Sequence, residues 1–228
     1  MPVGRPPKVQ HVRDDFLRAL ASAKALVHNA RQVETVRRSP TTPRLHSKHV
    51  RKVIELAFMG VVAAWEEFLE QTLVRYMCGA KAAESAPRLR LSRCKSIQHA
   101  YQLLTADPDY DPVKKYISWS SPEHVQKKAG LFLERGGTYS LPLSKYKDAL
   151  LYASRIRNRV AHSSSKASKQ FIDTAKTLLN ANRLRQGYRV GDLLLEPPQN
   201  IADIPQGTSN HFESFMNMYE ELANSIVP

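Results

Sequence analysis

The sequence has few cysteines, few glycines and no long apolar run. Its two cysteines, Cys78 and Cys94, are too few for a disulfide framework and lack the spacing of metal ligands. We therefore expect a reducing, cytoplasmic location, and we predict neither a metal site nor a cofactor. The longest apolar run, Leu56 to Trp65, is too short to cross a bilayer, and the N-terminus lacks the apolar core of a signal peptide. With only 9 glycines, a glycine-rich all-β fold is disfavoured.

Positive charge is in large excess. The 34 Lys and Arg residues outnumber the 21 Asp and Glu residues, which gives a formal net charge of +13 at pH 7. Such an excess favours a polyanionic partner, with nucleic acid as the first candidate and a solvated basic surface as the alternative. Residues 1–52 are strongly basic, whereas residues 196–228 contain no Lys or Arg. The acidic end either neutralises basic surface in its own or a neighbouring subunit, or is a solvated helix.

Helical periodicity dominates the chain. Apolar residues recur at three- and four-residue steps, which predicts an all-α bundle. Helices are predicted over residues 12–38, 45–78, 92–104, 122–134, 143–162, 166–185 and 211–226, the third capped by Ser92. Residues 187–196, GYRVGDLLLE, are predicted to be extended, as a small β excursion. The predicted domains are a flexible basic N-terminus at 1–11, a helical domain at 12–186 and a C-terminal extension at 187–228.

The string RIRNRVAH, Arg155 to His162, carries the clearest chemical signal. On a helical wheel, Arg157 falls in the apolar sector, whereas Arg155 and Arg159 fall on the side where water is expected. A buried unpaired charge is costly, so Arg157 must reach solvent, pair with a carboxylate or line a cleft that admits an anion. A guanidinium suits a phosphate because it can donate two parallel hydrogen bonds.

Asn158 and His162 are one helical turn apart, so the amide can orient the imidazole or hold a ligand. An imidazole at a helix end can act as a general acid or base, although structural roles for both His162 and Arg157 are the alternative. Arg157 and His162 point about 140° apart on the wheel, so one straight helix does not aim both at one atom. Either the helix is distorted or a second copy supplies the missing half, which favours a homodimer.

The hexapeptide Arg157-Asn158-Arg159-Val160-Ala161-His162 has the pattern R-N-x-x-x-H and resembles the motif of the HEPN superfamily of all-α domains. The string Trp65-Glu66-Glu67-Phe68 in the long second helix is similar to the W-E-x-F of the RiboL-PSP-HEPN branch. The resemblance implies a HEPN-like helical bundle. The position two residues after the histidine, a modified tyrosine in some HEPN toxins, is Ser164 here, which puts that form of control in doubt.

The resemblance also implies RNA cleavage without a metal ion, in which the ribose 2′-OH attacks the adjacent phosphorus and leaves a 2′,3′-cyclic phosphate. The implied catalytic residues are His162 for proton transfer, Arg157 for the charged phosphate oxygens and Asn158 for positioning. Glu66 is expected to reach Arg157, either in catalysis or only as an ion pair. A composite homodimeric active site and single-stranded or looped RNA as substrate are expected.

Four basic residues of the first two helices are expected to guide the RNA backbone. They are Arg37, Arg38, Arg44 and Lys48. The biological role implied is that of a toxin or antiphage-defence effector, with an antitoxin or defence-system partner possible and no membrane association. One alternative is a non-catalytic HEPN module that binds RNA, a nucleotide or a partner protein. Another is a DNA-binding regulator, because GRPPK at Gly4 to Lys8 resembles the core of an AT-hook.

Overall fold

A computed structural model describes residues 6–35, 45–82, 86–199 and 207–228 of the chain. Helix makes up 68% of the described structure and strand 1%, with no sheet, which confirms the all-α class. The extended pairing within these ranges is an isolated antiparallel bridge between Leu89 and Leu133. None of the helices in these ranges is long and apolar enough to span a membrane.

The described residues form nine α-helices. In chain order they are α1 (Gln10–Thr35), α2 (Ser47–Met77), α3 (Ile97–Thr105), α4 (Pro122–Phe132), α5 (Ser140–Lys145), α6 (Lys147–Ala161), α7 (Ser165–Leu178), α8 (Val190–Leu195) and α9 (His211–Ile226), with a 3-10 turn at Glu134–Tyr139. The described part of the chain forms two compact units. The first comprises the described residues of Met1–Leu17, Trp65–Lys147 and Glu221–Pro228, and the second those of Arg18–Ala64 and Asp148–Glu220.

Aromatic packing holds the first unit together. Phe16 of α1 lies against Trp65 and Phe68 of α2, with ring centroids 5.6 and 5.2 Å away, and all three side chains are buried. The hydroxyl of Tyr76 donates a 2.7 Å hydrogen bond to the carbonyl of Ile226 in α9. The apolar stripe of α2 therefore forms part of the core, as its periodicity predicts.

The second unit has its own apolar core. Phe58 of α2 packs edge-on against Phe215 of α9, with ring centroids 5.3 Å apart. Ala149, Ala153 and Ile156 place one face of α6 in this core with no exposed surface. The predicted inner face of the motif helix is thus confirmed, and the final helix contributes to both units.

Two predicted helix boundaries are wrong. The cap of α3 is Ser96 rather than Ser92, because the Ser96 hydroxyl accepts the backbone N–H of His99 at 3.1 Å. Ser164 caps α7 by accepting the backbone N–H of Ala167 at 3.2 Å. That helix ends at Leu178 instead of continuing to residue 185, because Asn180 takes a left-handed conformation with φ 47°.

The helix predicted over residues 143–162 is interrupted near its start. Tyr146 leaves helical geometry, with φ −109° and ψ 23°, and separates α5 from α6. Its ring is buried, and its hydroxyl donates a 2.5 Å hydrogen bond to Glu221. A contact 75 residues away in sequence thus sets the break.

The β excursion predicted over residues 187–196 is wrong, because Val190–Leu195 is helix α8. Its first turn is capped by Asp192, whose carboxylate accepts the backbone N–H of Arg189 at 2.9 Å. Leu193 and Leu194 are fully buried, and Gly191 lies so close to α2 that an added Cβ would be 2.6 Å from the Cβ of Arg51. The cap and the close packing favour helix over the extended conformation that the sequence pattern suggested.

Candidate active site

The R-N-x-x-x-H motif occupies the last turn of α6. The core face ends at Ile156, and Arg157 is half-buried beside it. Arg155 and Arg159, which the wheel places on the water side, are half-buried too. The motif turn is therefore a partly enclosed surface and not a fully solvated helix face.

Asn158 holds the guanidinium of Arg157. The Nη1 atom of Arg157 donates a 3.2 Å hydrogen bond to the amide oxygen of Asn158. The Nε atom of Arg157 is buried and has no hydrogen-bond partner within the described residues. Leaving a buried donor unpaired costs about 1–3 kcal/mol, and more when the group is charged. The site is therefore short of one acceptor, and an anion can supply it.

His162 follows the last residue of α6 and is exposed. Its backbone N–H donates to the carbonyl of Asn158 at 2.9 Å, and its carbonyl accepts from Nη1 of Arg159 at 3.2 Å. The backbone at His162 is thus fixed from both sides. Within the described residues its imidazole takes part in no hydrogen bond or ion pair, so the ring can meet a ligand from solvent.

The motif residues are joined through Asn158 and not directly. In the described part of the chain, the side chains of Arg157 and His162 form no hydrogen bond with each other. The wheel predicted their divergence from one straight helix, and α6 stays helical through Ala161. One copy of the motif therefore presents a guanidinium and an imidazole in different directions, and the second copy expected for a composite site stays a prediction.

The other predicted site residues are spread more widely. Glu66 belongs to the first unit, where it is buried and accepts a 2.6 Å hydrogen bond from the hydroxyl of Tyr116. Arg157 belongs to the second unit, and its pairing with Glu66 stays a prediction. Lys48 is exposed near the start of α2. Three predicted RNA-binding residues lie outside the described ranges: Arg37, Arg38 and Arg44.

Two basic pockets of the second unit were not predicted from the sequence. The first, with a volume of about 350 Å³, is lined by Lys52, Glu55, Arg159, Val160, Phe171, Tyr188, Arg189 and Val190. The second, of about 380 Å³, is lined by Lys48, Arg51, Arg185, Gln186, Gly187, Arg189 and Asp192. Arg189 lines both, so we call the pair the arginine pocket. A basic residue of the motif, Arg159, is part of its wall.

The cysteines show no sign of chemical activation. Cys78 and Cys94 are both buried and free. Burial raises the pKa of the Cys78 thiol to about 11, so it is protonated at neutral pH and a weak nucleophile. The described residues contain no group of three or more His, Cys, Asp and Glu residues placed to hold a metal ion.

No protein-family model, curated protein or solved structure matches this chain.

Proposed function

We propose that this protein is an endoribonuclease of the HEPN type, with its active site built from the motif turn of α6. The observation that carries the proposal is the half-buried guanidinium of Arg157, which Asn158 holds on one side and which keeps a buried Nε without an acceptor. The exposed imidazole of His162 lies at the end of the same turn. A guanidinium short of an acceptor near a free imidazole is suited to a phosphodiester.

In the proposed reaction, the ribose 2′-oxygen forms a bond to the adjacent phosphorus while the bond from phosphorus to the 5′-oxygen of the next nucleotide breaks. The products are a 2′,3′-cyclic phosphate and a free 5′-hydroxyl. His162 transfers a proton, either from the 2′-OH or to the leaving 5′-oxygen. Arg157 stabilises the extra negative charge on the non-bridging oxygens, and Asn158 keeps that guanidinium in place.

A homodimer explains how diverging side chains serve one reaction. Two copies of the motif turn related by a two-fold axis would present two guanidinium and two imidazole groups to one cleft. One histidine could then act as the base and its symmetry mate as the acid. The strong positive charge of the chain favours encounter with RNA. An RNase with this activity would serve as a toxin or an antiphage-defence effector, and an antitoxin or a defence-system partner would restrain it.

The test is RNA cleavage in EDTA by the wild type and by His162→Ala, Arg157→Ala and Asn158→Ala. Removing one positioned acid–base group typically costs about 100- to 10,000-fold in rate, so His162→Ala should fall by that amount. Arg157→Ala should lose on the order of 100- to 1,000-fold, as when a transition-state donor is deleted. Mixing inactive His162→Ala and Arg157→Ala proteins should restore part of the activity if the site is shared between two copies.

Matched controls separate catalysis from general damage. Arg155→Ala removes a half-buried arginine from the same helix, and His124→Ala removes an exposed histidine from the first unit. Both should keep nearly wild-type rates. Cleavage that survives His162→Ala and Arg157→Ala unchanged would overturn the proposal. RNA binding with no cleavage by the wild type would instead identify a non-catalytic binding module.

A further inference from the structure

The arginine pocket is a concave surface with a strong positive charge. Its basic lining residues are Lys48, Arg51, Lys52, Arg159, Arg185 and Arg189. Its acidic lining residues are Glu55 and Asp192, which leaves an excess of four positive charges. Like charges gathered this closely repel one another, so the pocket is prepared for an anionic ligand.

Part of this charge is already neutralised within the protein. Asp192 forms ion pairs with Arg51 at 2.7 Å and Arg185 at 2.8 Å, and Glu55 pairs with Lys52 at 3.3 Å. These contacts fix one wall of the pocket and tie α8 to the start of α2. The charges that remain for a ligand belong to other residues.

Three basic residues of the pocket have no acidic side-chain partner in the described structure: Lys48, Arg159 and Arg189. Arg159 donates only to the carbonyl of His162, and Arg189 is exposed at the start of α8. Both line the 350 Å³ part of the pocket. A guanidinium group that has no carboxylate partner can donate paired hydrogen bonds to phosphate oxygens.

Tyr188 lines the same part of the pocket and has an unused polar atom. Its hydroxyl is buried and has no hydrogen-bond partner in the described structure, and burial raises its pKa well above the ordinary value for tyrosine. The guanidinium of Arg185 lies over its ring at 5.6 Å from the centroid. A phosphate or ribose oxygen that entered the pocket could accept the proton of this hydroxyl.

We propose that the arginine pocket binds backbone phosphates of single-stranded RNA beside the motif turn, with Arg159 and Arg189 as the principal contacts. The choice of RNA rests on the proposed function, whereas the anionic character of the ligand rests on the pocket alone. The two adjoining parts share Arg189, so they suit a chain of phosphates better than one small anion. Arg159 connects the pocket with the motif turn, because it lines the pocket and also donates a hydrogen bond to the carbonyl of His162.

The test measures RNA binding without cleavage. A labelled single-stranded RNA is titrated by fluorescence anisotropy, at several salt concentrations, with the His162→Ala protein and with the same protein carrying Arg159→Ala and Arg189→Ala. For single strands the logarithm of the binding constant falls with log salt by about 0.7 per phosphate contact, so losing two contacts should flatten the slope by about 1.4. By the same relation, if both proteins bind RNA equally at 1 M salt, the arginine variant should bind about 25-fold more weakly than its parent at 0.1 M salt.

The control is a protein that loses two exposed charges elsewhere. Arg88 and Lys127 are exposed, belong to the first unit and line neither part of the pocket. Their double alanine variant should keep the salt slope, and Arg159→Lys with Arg189→Lys should restore most of it. An unchanged slope in the arginine variant would overturn the proposal, as would displacement of the RNA by submillimolar inorganic phosphate at constant ionic strength.

Failure of this inference is distinguishable from failure of the proposed function. If the wild type never cleaves RNA but the salt slope flattens only in the arginine variant, the proposed pocket is supported and the proposed nuclease activity is refuted. If cleavage depends on His162 but the salt slope of the arginine variant is unchanged, the nuclease activity is supported and the proposed pocket is refuted. Thermal unfolding of each variant shows whether its fold is intact.

Discussion

The buried histidine of α9 makes stability depend on pH. His211, the first residue of that helix, has no exposed surface, and both of its ring nitrogens lack a hydrogen-bond partner in the described structure. Burial lowers its pKa to about 4 from the ordinary value of 6.5. Between about pH 4 and pH 6.5 the ring is therefore neutral in the folded protein but charged in the unfolded chain.

The sign of the effect follows from proton linkage. The unfolded chain binds a proton at His211 below about pH 6.5, whereas the folded protein does so only near pH 4. The stability from a neutral ring is fully present above pH 6.5 and decreases as the pH falls towards 4. At pH 5 the difference is about 1.5 pH units, or about 2 kcal/mol at 1.36 kcal/mol per unit. The full gap, below pH 4, corresponds to roughly 3.4 kcal/mol.

The assay is denaturant unfolding at pH 8 and pH 5, with the wild type and His211→Leu. The wild type should lose about 2 kcal/mol more than the variant between these values, because leucine does not titrate. At pH 8 the variant should be at least as stable, because leucine removes two unpaired ring nitrogens from the core. His124→Leu, which replaces an exposed histidine, is the matched control.

Carboxylates contribute in a different pH range. Hydrogen bonds from Lys145 and, to a smaller extent, Tyr146 lower the pKa of Glu221. The stability that this carboxylate contributes is therefore present above its ordinary pKa and is lost as the pH falls through the lowered pKa. Measurements at pH 5 and above therefore isolate the histidine. Equal losses of stability in the wild type and His211→Leu between pH 8 and 5 would refute the reasoning.

Three further predictions concern α8 and α2. Gly191→Ala should destabilise the protein by at least about 1–3 kcal/mol, because the new Cβ would lie 2.6 Å from the Cβ and 2.8 Å from the backbone carbonyl oxygen of Arg51. Gly60→Ala, where nothing lies within 4 Å, should instead stabilise α2 by about 0.5–1 kcal/mol, and chemical denaturation distinguishes the two. Asp192→Asn should lower the free energy of unfolding by about 1–3 kcal/mol, because it weakens the ion pairs with Arg51 and Arg185. Because it also removes a negative charge from the pocket, the variant should bind RNA more tightly in the anisotropy assay, and an unchanged affinity would contradict this prediction.

The long elements were predictable because their sequence signal is local. The apolar stripes of α1 and α2 repeat over several turns, so their positions were predicted to within a few residues wherever the structure describes them. The inner face of α6 was predicted for the same reason. Gly79, which follows α2 closely, has φ 80°, a conformation that glycine adopts readily. Each of these signals acts within a few residues of the feature that it specifies.

The failures share a non-local cause. Nothing near Tyr146 in the sequence announces the break before α6, because Glu221 is the hydrogen-bond partner of its hydroxyl. The sequence likewise held no signal for the hydrogen bond between Glu66 and Tyr116, 50 residues away. To decide between Ser92 and Ser96 as the cap, one must know where α3 starts, and local propensity defines a helix start only to within a few residues.

The wrongly predicted segment and the arginine pocket have a common physical origin. Asp192 accepts the backbone N–H of Arg189 and pairs with Arg51 and Arg185, so one buried carboxylate both starts α8 and fixes it to α2. The same contacts anchor the backbone of Arg189 while leaving its guanidinium without an acidic partner, at the mouth of a pocket that also contains Arg159. An arginine positioned in this way has no local sequence signature, because its placement depends on the pair of Arg51 and Asp192, which are 141 positions apart in sequence. The motif string identifies the residues proposed to act on the scissile phosphate, but the groups proposed to hold the neighbouring phosphates become visible only once α8 is folded against α2.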